Sequence, residues 1–235
     1  MSISMPPRSE HVNQNDALIS LQTEVESLRE LGKLFYQRGW SVGTSSNYSV
    51  VIQRQPLELL ITASGKDKGR LSTRDFVRID QEGRPTRAQQ PKSSAETLLH
   101  CVLARQSGVG AVLHTHSVWA TILSDVFYGE GGFAIEGYEM LKGLEGTTTH
   151  QTSTWVEIFE NTQDIPALAD QLSGRLEGGL RPLEHAFLLR RHGLYTWGPD
   201  LDAARRHVEI FEFLFEVLAR KLQLTSTVPA HVMGW

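Results

Sequence analysis

Near the middle of the chain the apolar run Ala111-Val112-Leu113 leads into His114-Thr115-His116. Side chains two apart on a strand share a face, so a strand here sets two imidazoles side by side at its end. Imidazole nitrogens are ordinary zinc ligands, and a catalytic zinc needs at least one further protein ligand and an open position. His192 is the candidate third ligand: it follows Ala186-Phe187-Leu188-Leu189-Arg190 and precedes Gly193, at the mouth of a second buried-type strand. The competing reading is three strand-end histidines bonded to backbone or water, since His-x-His alone is a weak motif. Among the nine histidines, His100 and His207 fall inside helical patterns with apolar neighbours and read as packed residues. His11 and His231 lie in terminal segments, His185 precedes its strand, and His150, among threonines, remains a candidate substrate contact.

Three short polar segments suit an anion. Thr44-Ser45-Ser46-Asn47 joins a helix to a strand, Ser64-Gly65-Lys66 follows the next strand, and Ser93-Ser94 opens a helix. Hydroxyls, bare backbone N–H groups and a helix N-terminus are what a phosphate needs. The same residue types also serve as turn and capping residues, and no segment fits the Walker or dinucleotide pattern. Two carboxylates stand out. Glu96 completes a capping box with Ser93. Glu139 lies in Gly137-Tyr138-Glu139-Met140-Leu141-Lys142-Gly143, where it could pair with Lys142 on a helical surface. Either could instead shuttle protons beside a bound metal; composition and spacing leave the choice open.

These groups need a scaffold. The periodicity predicts a helix from Asp16 to about Arg38, a hairpin of Tyr48–Arg54 and Leu57–Thr62, and a strand over Phe76–Asp80. Further on it predicts a helix over Ser93–Arg105, a strand over Val109–Leu113 and a helix near Val118–Val126. Gly129–Gly137 reads as a loop and Tyr138–Leu144 as a helical turn; a helix follows from Asp164-Ile165-Pro166 to about Leu176. Ala186–Arg190 is a strand with Leu194–Trp197 as its partner, and a last helix opens at Pro199-Asp200. The expected organisation is a tail over 1–15, one catalytic domain over 16–222 and a C-terminal tail over 223–235. A central mixed sheet with helices on its faces fits this order. The chain has 235 residues, a net charge of −4, no basic run and a single cysteine, which argues against nucleic acid as the main partner and against a disulfide framework. No apolar run is long enough to span a membrane, and Met1–Asn15 does not read as a secretory signal, so a cytoplasmic protein is expected.

Ser93-Ser94 with Glu96, then His114-x-His116, then a distant Arg191-His192-Gly193 resemble the class II aldolase and adducin family, from about Ser27 to Leu222. Val112–Ser117, Tyr138–Gly143, Phe159–Thr162 and Arg190–Gly198 resemble a dehydratase branch within it. The resemblance implies a three-layer α/β/α sandwich with a mainly antiparallel mixed sheet, and a homo-oligomer, commonly a tetramer with sites near subunit boundaries. It also implies one Zn2+ per subunit on His114, His116 and His192, and Glu139 as the catalytic acid/base. Aldolase relatives instead use a glutamate in the segment holding Glu96, which is given a substrate-side role here. Thr44, Ser46, Asn47, Ser64, Gly65, Lys66, Ser93 and Ser94 are the expected substrate-binding residues, with Ser46 standing where glycine is usual. The implied activity is zinc-dependent dehydration of a phosphorylated 5-methylthio ketose in methionine salvage. The alternatives are a zinc sugar-phosphate aldolase or epimerase, and a non-catalytic adducin-like interaction module.

Overall fold

Val25, Leu28, Leu31 and Phe35 repeat at three- and four-residue spacing, and in the computed structural model all four are buried on one face of helix α1 (Gln22–Gln37). The structure describes residues 21–179 and 181–227; the expected N-terminal tail, the Asp16 cap and the last residues of the C-terminal tail lie outside them. After α1 come β1 (Asn47–Arg54), β2 (Leu57–Thr62), β3 (Phe76–Asp80), α2 (Thr97–Arg105), β4 (Ala111–Thr115) and α3 (Val118–Val126). They are followed by β5 (Gly132–Glu136), β6 (Ser153–Phe159), α4 (Ile165–Glu177), β7 (Ala186–Leu189), β8 (Gly193–Gly198) and α5 (Leu201–Thr227). The described strands form one eight-stranded sheet in the order β3-β2-β1-β4-β8-β7-β6-β5. Neighbours are antiparallel except β6 and β7, which run parallel.

Alternation along the strands divides the core into two layers. Tyr48 and Val50 of β1, Ala111 and Leu113 of β4 and Leu194 of β8 face α1, α3 and α5. Val112 of β4, Phe187 and Leu189 of β7 and Tyr195 and Trp197 of β8 face α2 and α4. Helices thus cover both faces, as an α/β/α sandwich requires. Fully burying each Leu, Val or Phe contributes roughly 1.5–3 kcal/mol.

The local predictions differ from the structure in several places, and β6 falls in a stretch to which they assign no element. The Ser93/Glu96 capping box does not form: α2 begins at Thr97, Glu96 makes no side-chain cap, and Ser93 pairs with Ala63 as an isolated bridge. The Glu96 carboxylate is instead turned to the Asn47 amide, a side-chain donor that replaces the backbone N–H. Gly129–Gly137 is not all loop, because Phe133 and Ile135 alternate inward and pair Gly132–Glu136 with β6 as the edge strand. The strand near His114 runs from Ala111 to Thr115 rather than from Val109, so His114 is itself a strand residue. The last helix continues through Thr227, past the expected domain end at 222.

The β7–β8 hairpin turns through Arg190-Arg191-His192, with Arg191 in the left-handed region at φ 53°. Gly193 lies so close to β4 that a Cβ there would meet the Thr115 carbonyl oxygen at 2.1 Å. Gly193→Ala should therefore push the strands apart and destabilise the fold by roughly 1–3 kcal/mol, the usual cost of overpacking. A Cβ at Gly174 in α4 meets nothing within 4 Å, so Gly174→Ala should stabilise by up to about 1 kcal/mol. Thermal unfolding of the two variants against wild type checks both signs.

Candidate active site

The register sets a row of side chains across four strands on the face toward α2 and α4. Asn47 of β1 pairs with His114 of β4, His114 with Tyr195 of β8, and Tyr195 with Phe187 of β7. The rings stack along this row: His114 on Tyr195 at 4.0 Å and Tyr195 on Phe187 at 4.8 Å between centroids. His116 follows β4, its backbone N–H held by the Trp40 carbonyl at 2.8 Å. His192 sits in the β7–β8 turn, its N–H on Leu189 O at 3.1 Å and its carbonyl accepting from the Thr121 hydroxyl at 3.1 Å.

The three imidazoles converge through their Nε2 atoms. The separations are 2.8 Å between His114 and His116, 3.3 Å between His114 and His192, and 3.2 Å between His116 and His192. His114 Nδ1–H donates to Leu194 O at 3.0 Å, and His192 Nδ1–H donates to Asn161 Oδ1 at 3.3 Å. Both bonds place the ring proton on Nδ1 and leave the Nε2 lone pair bare. Burial, then the neighbouring imidazoles, hold His114 well below its ordinary pKa. Burial, His192 and the Lys68 ammonium push His116 down to about 3. Bare nitrogens in contact repel unless a cation lies between them. Four-coordinate zinc, about 2.0–2.1 Å from each nitrogen, sets ligand nitrogens about 3.3–3.4 Å apart, close to two of the three separations. The residues present therefore fit a divalent ion.

Glu96, at the start of α2, stands beside the trio, with Oε1 at 3.3 Å from His192 Nε2 and Oε2 at 3.6 Å from His114 Nε2. Asn47 Nδ2 donates to Glu96 Oε2 at 3.0 Å and to Ser94 Oγ at 3.3 Å. The Tyr195 hydroxyl is buried facing Glu96, and burial, then the charge of Glu96 and its contact with the hydroxyl, hold its pKa well above the ordinary phenol value. Glu139 is placed elsewhere. It lies in a 3-10 turn over Glu139–Gly143 whose Leu141 packs into the α3/α5 layer, on the other side of the sheet. Its side chain is 68% exposed and pairs with Lys142 Nζ at 2.7 Å and His150 Nδ1 at 3.2 Å; the Lys142 bond holds its pKa below the ordinary value.

The three polar segments come together. Asn47 reaches Ser94, Ala63 bridges to Ser93, and the backbone N–H of Ser64 donates to Lys92 O at 2.9 Å. Lys68 is buried in the Ser64–Arg70 loop, with its ammonium on Lys66 O at 2.7 Å and Thr44 O at 3.5 Å. Burial lowers its pKa to about 8 despite the charges of Asp67 and Asp75. Ser46, at the position expected of a glycine, takes the left-handed conformation at φ 71°. Gly65 is also left-handed at φ 69°, and Lys66 is paired with Asp75 at 2.9 Å. Sequence reasoning missed Lys68, Tyr195 and Asn161 as parts of the site. Asn161 falls in a segment singled out only by resemblance, and nothing in the local pattern around Lys68 marks it as buried.

This sheet, these layers and a histidine trio at the end of a central strand define a class of metal-site α/β proteins. The family model for the class II aldolase and adducin N-terminal domain matches residues 26–219, and the chain belongs to that family. Over 195 residues it is 45% identical to a methylthioribulose-1-phosphate dehydratase of Marinobacter nauticus, covering 83% of this chain and 91% of that protein. It is 44% identical over 201 residues to a methylthioribulose-1-phosphate dehydratase of Pseudomonas aeruginosa, covering 85% and 95%. Among solved structures, an L-fuculose-1-phosphate aldolase from Thermus thermophilus superimposes with a TM-score of 0.67 at 21% identity, over 88% of this chain and 100% of that one. That likeness concerns the fold.

His116→Ala should leave the protein folded but without most of its bound metal. Asn161→Ala, which frees the His192 ring, should weaken zinc binding by roughly 10–100-fold, as loss of an outer partner commonly does. Chelator competition on the purified variants measures both, and an Asn161→Ala protein with unchanged affinity would contradict the assigned role of that bond.

Proposed function

We propose that the chain is a metal-dependent hydro-lyase of methionine salvage. It removes water from 5-methylthio-D-ribulose 1-phosphate to give 2,3-diketo-5-methylthiopentyl 1-phosphate. The observation that carries this reading is the convergence of three imidazole Nε2 atoms beside three joined polar segments. The dehydratase relatives, matched over most of their length, supply the substrate class. His114, His116 and His192 would hold one Zn2+ per subunit. Bound there, the ion supplies Lewis-acid polarisation of the ketose carbonyl.

The chain's own residues do the rest. Thr44, Ser46, Asn47, Ser64, Gly65, Lys66, Ser93 and Ser94 surround the phosphate, with the buried Lys68 charge behind them. Binding there, away from the reacting carbons, aligns the C3–H bond. A carboxylate takes the C3 proton, the C4 hydroxyl departs as water with a returned proton, and the resulting enol becomes the 2,3-diketone. Glu139 is the proposed acid/base. Its exposure, and its place across the sheet from the trio of its own chain, fit a residue presented to the site of a neighbouring copy in a homotetramer. Glu96 has the substrate-side role. A second reading, a sugar-phosphate aldolase or epimerase, is favoured by Glu96 standing at the trio where aldolase relatives carry their glutamate. The proposed setting is cytoplasmic; none of the described helices is long and apolar enough to cross a membrane.

Incubation with the methylthio ketose phosphate should produce diketone absorbance that a chelator abolishes. Glu139→Gln should lower turnover by roughly 10²-fold or more while keeping metal, the range usual for a general acid/base. Mixed oligomers of His116→Ala and Glu139→Gln subunits should regain up to about a quarter of wild-type activity, because one interface in four then pairs an intact trio with an intact Glu139. If Glu96→Gln is dead and Glu139→Gln is not, the aldolase-like assignment holds instead.

A further inference from the structure

His100 lies inside α2, fully buried, in a position that sequence periodicity gives to an ordinary core side chain. Its polar atoms are nonetheless both engaged. Nδ1 is 2.7 Å from Ser49 Oγ, and Nε2 is hydrogen-bonded to Asn47 Oδ1. Asn47 Oδ1 can only accept, so the ring proton is on Nε2, and Ser49 donates to Nδ1. Burial pushes the His100 pKa down to about 3, which keeps this neutral tautomer in place.

The geometry has a simple origin. Asn47 and Ser49, two apart on β1, point to the same face of the sheet. Glu96 and His100, four apart at the start of α2, point to the same side of the helix. The two pairs meet with the Asn47 amide clamped between them: its oxygen on His100, its nitrogen on Glu96 Oε2 at 3.0 Å and Ser94 Oγ at 3.3 Å. Were the amide turned over, its oxygen would face the Glu96 carboxylate, acceptor against acceptor. The His100 N–H prevents this by requiring an acceptor on its own side.

We propose that His100 is a positioning residue: through Asn47 it holds the Glu96 carboxylate against the imidazole trio and so sets the charge that faces the metal site. An apolar side chain would fill the same volume, yet it would leave the Asn47 oxygen unpaired and remove the hydrogen bond that anchors the amide from the side opposite Glu96. The role rests on the histidines being a metal site, not on which ketose is dehydrated.

The test is a double-mutant cycle read by zinc affinity in chelator competition. His100→Leu should weaken zinc binding about tenfold, the lower end of what loss of an outer partner does. His100→Gln, whose amide restores an N–H donor, should recover most of the loss. In a Glu96→Ala background His100→Leu should cost nothing further. The 15N spectrum of the wild type should show the His100 ring as the Nε2–H tautomer. Additive losses in the cycle, an Nδ1–H tautomer, unchanged affinity in His100→Leu, or equal losses in the Leu and Gln variants would each overturn the proposal. Failure of the wild type to dehydrate the methylthio ketose phosphate, with this coupling intact, would sink the functional reading and leave the role of His100 standing.

Discussion

Three imidazole Nε2 atoms held within 3.3 Å of one another, those of His114 and His192 with bare lone pairs, are the constraint around which this molecule is arranged. Left alone, such lone pairs repel, and the rings would rotate apart or take up protons. Their directions are instead imposed from outside. Two strands supply the backbone, the Leu194 carbonyl and the Asn161 side chain orient the His114 and His192 rings, and Tyr195, itself stacked on Phe187, backs His114. Burial makes protonation of His114 and His116 costly, so repulsion cannot be relieved by charging them near neutral pH. A site whose rings are held in this way is prepared for a cation, and the sheet holds it in place.

The polar neighbours follow the same logic of forced orientation. Each buried polar group faces a partner whose own orientation is set one step further out: Glu96 by Asn47, Asn47 by His100, His100 by Ser49. Buried polar chains of this kind are favourable only when their members are satisfied. Lys68 completes the pattern from the other side. Its ammonium rests on the carbonyls of Thr44 and Lys66 and ties two loops together, leaving a positive charge at their junction. The Lys68 charge acts on His116 while the Glu96 carboxylate faces His114 and His192, a combination suited to a substrate with an anionic end and an acidic C–H bond.

The fold serves this arrangement economically. One row of the sheet, Asn47, His114, Tyr195 and Phe187, spans four neighbouring strands and carries the Asn47 amide, a histidine of the trio and the ring stack that supports it. Helix α2 enters next to that row, so Glu96 just before its first turn and His100 at the end of that turn both reach it. The glycine after His192 lets β8 approach β4 closely enough for the third ring to reach the other two.

Local spacing alone was enough to recognise most of the elements and the metal-type residues, because both are short-range properties; β5 and β6 escaped it. The two-residue period of His114 and His116 follows from strand geometry, and the apolar stripes of α1 and α5 follow from helical geometry. Capping at Asp164, with Pro166 behind it, was likewise legible. Local reasoning failed where a distant partner outbid the local one. Glu96 left its capping box for an amide 49 residues away, and Gly132–Glu136 became a strand because β6 offered it a ladder. What only the tertiary structure decided was the meeting of residues 78 positions apart, the joining of three polar segments and the separation of Glu139 from the trio of its own chain. Those depend on strand register and helix placement, which are set by the whole core rather than by any stretch of neighbouring residues.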